Sequence, residues 1–95
     1  LGDDEKLVLL GLTRALASRK TSYVSLKEIR SFTDLAAEEL TRKPVGDVDE
    51  HVQDLYDRGI VDVKSLTKIG IGGVASEDLG RFLGGIMERV RDGLS

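Results

Sequence analysis

The sequence predicts a mainly α fold with a small β-hairpin, a winged helix-turn-helix with an additional C-terminal helix. Two helical patterns are separated only by a short turn at residues 44–46, which contains Pro44 and Gly46. A β-branched run at residues 60–64 follows the second pattern at once, and a Gly-rich return follows at residues 69–74. Helix, turn, helix and hairpin in this order are typical of a winged helix.

Length and composition favour one globular domain. We expect residues 1–95 to form a single domain, and we expect it to be a fragment of a larger protein because the chain begins with Leu1. With 40% hydrophobic and 33% charged residues, the composition is that of a globular chain. The lack of cysteine excludes disulfides and thiolate metal sites and fits a cytoplasmic protein. No apolar run approaches the ~18 residues that span a membrane, so we expect no membrane contact.

The first predicted helix begins with Asp3 or Asp4 as its cap and ends near Ser18. Its apolar residues cover more than one narrow stripe, which predicts a central core helix; they are Leu7, Val8, Leu9, Leu10, Leu12, Ala15 and Leu16. A polar connection at residues 19–21 leads to a short predicted strand at residues 22–24, which we expect to pair with the later hairpin.

The second predicted helix begins with a capping box, in which Ser25 and Glu28 each accept a hydrogen bond from a free backbone amide. Pro44 disfavours helix at the residue before it, so we expect this helix to end near Thr41 or Arg42. Helical spacing predicts one core face, made of Leu26, Ile29, Phe32, Leu35, Ala36 and Leu40.

The third predicted helix runs from Asp47 to Gly59, where glycine takes a left-handed conformation without steric cost. Its apolar positions are Val48, Val52 and Leu55, with Tyr56 as a further candidate. We then expect a strand at residues 60–64, a hairpin tip at residues 65–68 and a return strand at residues 69–74.

The last predicted helix is capped by Ser76 and ended by Gly93. A helix in this place often dimerises winged regulators, so a protein partner or a homodimer through it is a candidate interaction. Its apolar stripe consists of Leu79, Phe82, Leu83, Ile86, Met87 and Val90.

Enzyme chemistry is disfavoured. The single histidine, His51, lies at a polar position that we expect to be exposed, and no second group is placed to work with it as a general base. The acidic residues of the third helix do not follow calcium-loop spacing. The glycines at residues 70–73 lack the Lys-Ser/Thr of a phosphate loop. We therefore expect no catalytic residue, no metal and no cofactor.

Basic residues at the edges of the third helix suggest contact with DNA phosphates, although such pairs also occur as ordinary surface charges. The net charge of −3 means that any nucleic-acid site must be a local patch. In a winged helix, the turn before the third helix and the hairpin lie on one side, where lysines and neighbouring hydroxyls can bind phosphates. The predicted phosphate contacts are Arg42 and Lys43 before the turn, and Lys64, Ser65, Thr67 and Lys68 at the hairpin tip.

The third helix itself is a poor candidate for simple major-groove recognition. Between Asp47 and Arg58 it carries five acidic residues and only Arg58 as a basic one. Acidic side chains are repelled by phosphates, so we expect most of them to point away from DNA. His51 and Gln53 are the residues of this helix that we expect to contact base edges.

Three motifs resemble the C-terminal winged-helix domain of archaeal Orc/Cdc-type DNA replication initiators. They are KLVLLGLTRAL at residues 6–16, YVSLKEI at residues 23–29 and LYDRGIV at residues 55–61, and the likeness covers residues 6–66. The resemblance implies binding of double-stranded replication-origin DNA through the third helix and the hairpin. It also implies an ATPase module of the AAA+ type in the parent protein, upstream of this chain.

Two other functions remain open from the sequence. A winged helix can serve as a protein-interaction or dimerisation module, which the acidic third helix and the net charge of −3 favour. It can also be the DNA-binding domain of a transcriptional regulator, whose contacts with DNA would be the same. The presence or absence of an ATPase module in the parent protein distinguishes a regulator from an initiator.

Overall fold

The computed structural model describes residues 2–72 and 79–94 and confirms the predicted fold class. Within these residues, four helices accompany one antiparallel hairpin; in chain order the elements are α1 (Asp3–Arg19), α2 (Leu26–Glu39), α3 (Val48–Asp57), β1 (Val61–Ser65), β2 (Lys68–Ile71) and α4 (Leu79–Leu94). The described helices are too short or too polar to cross a membrane. The predicted cap at Ser76 and the end of the return strand at Gly73 and Val74 lie outside the described residues.

Helix α1 is the centre of the core, as its apolar run predicts. It contacts α2, α3, α4 and β2, and its side chains from Leu7 to Leu16 are almost all buried. Its N-terminal cap is Gly2, one residue before the predicted cap, so Asp3 and Asp4 lie inside the first turn. In that turn, the negative charges of the two side chains still interact favourably with the positive end of the helix dipole.

Helix α2 starts as predicted and buries the predicted stripe except for Leu35. The hydroxyl of Ser25 accepts from the Glu28 amide at 3.2 Å, whereas the Glu28 carboxylate pairs with Arg19 instead of closing the box. Leu35, predicted in the core, is 56% exposed, and that prediction was wrong. The buried residues include Thr33 and Ala37, because α1 crosses α2 closely at Thr33 and so determines which side faces inward.

Three helices end in the same backbone motif, and only one of them uses glycine for it. After α3, Gly59 takes a positive φ of 75°, as predicted. After α1 and α2, the left-handed residues are Lys20 (φ 52°) and Thr41 (φ 53°). In each case the next amide bonds back to a carbonyl five residues earlier, as in Arg42 to Ala37 at 2.8 Å. Helix α2 therefore ends at Glu39, earlier than Pro44 alone predicts.

The hairpin has a shorter tip than predicted, because β1 ends one residue later and β2 begins one residue earlier. Strand β1 starts at Val61 rather than Ile60, and the tip is Leu66 and Thr67, next to an irregularity in register between Val63 and Ser65. The predicted pairing of residues 22–24 with the hairpin is confirmed at Val24, which exchanges hydrogen bonds with Ile69 at 2.9 and 2.8 Å.

The C-terminal half of α4 packs onto the core. Val90 and Leu94 are buried, and Met87 is partly buried against the same cluster. The helix continues through Gly93, which was predicted to end it. This part of the predicted dimerisation stripe is therefore used inside the chain.

An ion-pair network joins α1, α2 and α4 at Glu39, whose carboxylate lies 2.7 Å from Arg14 and 3.0 Å from Arg91. The hydrogen bond and the charge of Arg14 lower the pKa of Glu39 from its ordinary value of 4.5, and Arg91 adds to this. Because the folded-state pKa is depressed, the network stabilises the fold above the unfolded-state pKa and is lost as the pH falls through the folded-state value.

We expect an NMR titration to place the Glu39 pKa below 4.5 and Arg14→Met to return it towards that value. Lys27→Met, which removes a lysine from the exposed start of α2, is the control and should leave the Glu39 pKa unchanged. An equal Glu39 pKa in wild type and Arg14→Met would show that this pair does not form in solution.

Candidate nucleic-acid interface

The hairpin tip is ordered by its own hydroxyl groups. Ser65 Oγ accepts from the Thr67 amide at 3.3 Å and lies 3.1 Å from the Thr67 hydroxyl. This local turn brings Ser65 and Thr67 together at the surface and leaves the Leu66 side chain 71% exposed. We call the exposed residues Lys64, Ser65, Thr67 and Lys68 the wing surface.

The wing surface is held against the start of α2. The Leu26 amide, one of the free donors at that helix end, donates to the Leu66 carbonyl at 2.8 Å. The bridge between Val24 and Ile69 anchors the same region one step further down the hairpin. Two backbone connections therefore set the position of the tip relative to the helix pair.

The Tyr23 ring packs against the Lys64 side chain, a contact that the sequence did not predict. The Lys64 ammonium lies 4.7 Å from the centre of the Tyr23 ring, and the Tyr23 hydroxyl donates to Asp62 at 3.2 Å. The Tyr23 hydroxyl group and, to a smaller extent, the negative charge of Asp62 raise the pKa of Lys64 from its ordinary value of 10.5. The ammonium is therefore charged throughout the neutral range.

A shallow groove of about 310 Å³ lies between the hairpin tip and the connection from α1 to α2. Arg19 lines it and pairs with Glu28 at 2.8 Å. Hydroxyl groups supply most of the remaining polar lining, from Thr21, Tyr23, Ser25 and Thr67. The groove extends the polar surface of the wing towards the C-terminal end of α1.

The two predicted phosphate contacts before the turn have different surroundings. Arg42 donates to the Asp3 carboxylate at 3.1 Å and to the Leu94 carbonyl at 2.7 Å, so it ties the end of α2 to α1 and α4. Lys43 is exposed. Since the Arg42 guanidinium is engaged inside the fold, Lys43 is the better placed of the two for a ligand.

His51 is not exposed, and that prediction was wrong. Its side chain is 24% accessible, Nε2 lies 3.9 Å from Asp4, and Nδ1 is buried. The ring faces α1, because α3 packs there through the same side that buries Val48, Val52 and Leu55. This orientation turns His51 away from the solvent side of α3, where a base edge would approach.

The solvent side of α3 is acidic and partly internally paired. Gln53, the other predicted base contact, is exposed and donates to Asp57 at 3.0 Å. Arg30 of α2 donates from Nε to Asp49 at 3.0 Å. Tyr56 is 45% exposed beside them. The acidic character predicted for this helix therefore persists at the surface, whereas the nearby wing surface carries two lysines.

Comparison with known proteins relates the chain to one solved structure by fold. No protein-family model matches the chain, and no curated protein is significantly similar to it. The crystal structure of Cdc6p from Pyrobaculum aerophilum matches over 100% of this chain with a TM-score of 0.76 and 24% sequence identity. The chain covers 25% of that protein's chain. At the level of the fold, this match confirms the resemblance seen in the sequence.

Proposed function

We propose that this chain is a duplex DNA-binding winged-helix domain and the origin-binding module of an Orc/Cdc-type replication initiator. The main support for DNA binding is the wing surface, because it places two lysines and two hydroxyls on a fixed, exposed tip. The sequence motifs and the fold shared with Cdc6p support the initiator assignment. In this proposal the parent protein works in the cytoplasm and carries the AAA+ ATPase module, and this chain has no enzyme activity and needs no cofactor.

The proposed contact is with phosphates rather than with bases. Lys64 and Lys68 neutralise backbone charges and release counterions, and Ser65 and Thr67 donate hydrogen bonds to phosphate oxygens. Tyr23 limits the motion of Lys64 before binding, which lowers the entropy lost when the ammonium meets a phosphate. Lys43 is a further candidate contact at the turn before α3.

The acidic side of α3 restricts how DNA can approach. Phosphates placed along Asp49, Glu50 and Asp57 would be repelled, and desolvating these carboxylates is costly. The wing surface lies at the other end of the hairpin from Gly59, which follows α3. We therefore propose that the hairpin leads the contact and that α3 meets DNA at its edge.

We expect Lys64→Ala with Lys68→Ala to weaken binding to a labelled duplex at low salt by about tenfold. The slope of the logarithm of affinity against the logarithm of salt concentration should become less steep by about two. Fluorescence anisotropy over a salt series measures both quantities. The charge-matched control is Lys6→Ala with Arg89→Ala, since Lys6 contacts Gly93 near the end of α4 and Arg89 is exposed on that helix. Equal losses in the two double variants would contradict contact through the wing surface.

A protein-interaction module is the second candidate, and the acidic side of α3 favours it. Asp49, Glu50, Asp54 and Asp57 are all exposed there, which suits a basic protein partner. A homodimer through α4 belongs to the same class. Sedimentation of the chain and duplex binding at low salt decide between the functions: a stable dimer or complex without DNA binding would favour the second. A transcriptional regulator would share the DNA contacts and lack the ATPase module.

A further inference from the structure

Helices α1 and α3 bring together a histidine and two carboxylates that the proposed DNA contact does not use. Glu5 of α1 and His51 and Asp54 of α3 place one donor atom each within 4.8 Å of one another. His51 and Asp54 are three residues apart, so they lie on the same side of the helix. The group therefore joins two helices at the edge of their contact, with Glu5 and His51 partly buried and Asp54 exposed.

Two polar atoms of this group are buried without a hydrogen-bond partner in the described part of the chain. They are Glu5 Oε2 and His51 Nδ1, and the one other such atom there is Thr33 Oγ1 at the crossing of α1 and α2. A buried polar atom without a partner is destabilising by about 1–3 kcal/mol. Two such atoms therefore lie in one small group, and the charge nearest to Glu5 Oε2 is the Arg58 guanidinium at 3.8 Å.

The surroundings of His51 select which nitrogen is free. Nε2 lies 3.9 Å from the Asp4 carboxylate, on the side where a ring N–H would be attracted. At 3.9 Å the Asp4 carboxylate is too far from Nε2 for a hydrogen bond, but its negative charge favours a proton on that nitrogen. Because Nδ1 is buried without a hydrogen-bond partner in the described part of the chain, a ring protonated on Nε2 leaves the Nδ1 lone pair available to a metal.

We propose that Glu5, His51 and Asp54 bind a divalent metal ion of the zinc class, with water as the fourth ligand. One imidazole nitrogen and two carboxylate oxygens form a donor set that suits Zn²⁺. Donor atoms that each lie about 2.1 Å from a tetrahedral ion are about 3.4 Å from one another. Side-chain rotations that move each donor atom by about 1 Å bring the three side chains to this spacing. Asp54 is exposed and free to make such a rotation.

Arg58 is the group that the ion would displace. Its Nη1 lies 3.8 Å from Glu5 Oε2, which is too long for a hydrogen bond, and its side chain is 55% exposed. The guanidinium can therefore turn into solvent when a cation neutralises Glu5. The bound ion would connect α3 directly to α1.

The test uses the whole chain, freed of metal by chelation and titrated with Zn²⁺ or Co²⁺. We expect one ion per chain by calorimetry, a melting temperature that rises with the logarithm of Zn²⁺ concentration, and visible Co²⁺ absorption of a nitrogen- and oxygen-ligated ion. His51→Ala should remove the absorption, and Asp54→Asn should weaken binding at least tenfold.

The matched control is Asp57→Asn, which removes the same charge from the same helix three residues from Asp54. It should bind the ion as wild type does. Circular dichroism of each variant without metal checks folding, and the exposed position of Asp54 makes Asp54→Asn informative even if His51→Ala does not fold. Absence of binding by the wild type, or equal weakening by Asp54→Asn and Asp57→Asn, would overturn the proposal.

Discussion

Gly11→Ala is expected to destabilise the fold by about 2–3 kcal/mol, because the added methyl group has no space between α1 and α2. A Cβ at Gly11 would lie 2.7 Å from the Thr33 nitrogen and 2.8 Å from the Thr33 Cα. These are backbone atoms, so rotating the Thr33 side chain cannot relieve the overlap. The helices must move apart, and the loss of packing along their contact exceeds the gain of about 1 kcal/mol in helix propensity.

Urea unfolding of the wild type and of Gly11→Ala measures this effect. Gly85→Ala is the matched control, since Gly85 also lies inside a helix and, among the described residues outside its own helical turns, no atom lies within 4 Å of its added Cβ. That variant should be as stable as the wild type or more stable by up to about 1 kcal/mol. If both variants gain stability equally, the close crossing of α1 and α2 is not present in solution.

Gly70→Ala is expected to cost about 1–3 kcal/mol and to loosen the wing surface. Its Cβ would overlap the Ser22 carbonyl oxygen and lie 3.1 Å from the Tyr23 ring. The segment before α2 must then move away from β2, which strains the bridge between Val24 and Ile69. Because the Leu26 to Leu66 hydrogen bond and the Lys64 contact with Tyr23 depend on the same segment, binding to DNA should weaken as well.

Amide hydrogen exchange checks the local effect of Gly70→Ala, and urea unfolding checks the global one. We expect the Val24 and Ile69 amides to exchange faster relative to the core amides of α1. Gly46→Ala, where an added Cβ meets no atom within 4 Å, is the control and should leave both amides unchanged. Unchanged protection at Val24 in Gly70→Ala would show that the bridge does not depend on this glycine.

The sequence largely predicted the wing surface, but it did not predict the contacts that hold this surface in place. Lys64, Ser65, Thr67 and Lys68 are neighbours in sequence at a predicted tip, so hairpin geometry alone places them together. Tyr23 precedes Lys64 by 41 positions, and no local pattern relates the two. Its role appears only because Val24 pairs with Ile69 and brings the two segments side by side.

Arg42 and His51 make contacts within the chain that the sequence did not predict, and both do so for one physical reason. Both are polar residues in polar stretches, and local patterning predicts solvent for such positions. Arg42 is instead drawn to the Leu94 carbonyl and to Asp3, which come from the two ends of the described chain. His51 is covered by α1. The packing of distant helices, which periodicity does not contain, decides both positions.

By itself the sequence determined the fold class, the order of the elements, the central place of α1 and the left-handed glycine, Gly59, that follows α3. These follow from local chemistry, such as apolar spacing, the Ser25 cap and the conformational freedom of glycine. Tertiary structure alone decided that Leu35 is exposed and that Glu5, His51 and Asp54 meet. Those features depend on contacts between segments far apart in the chain, so no local pattern could specify them.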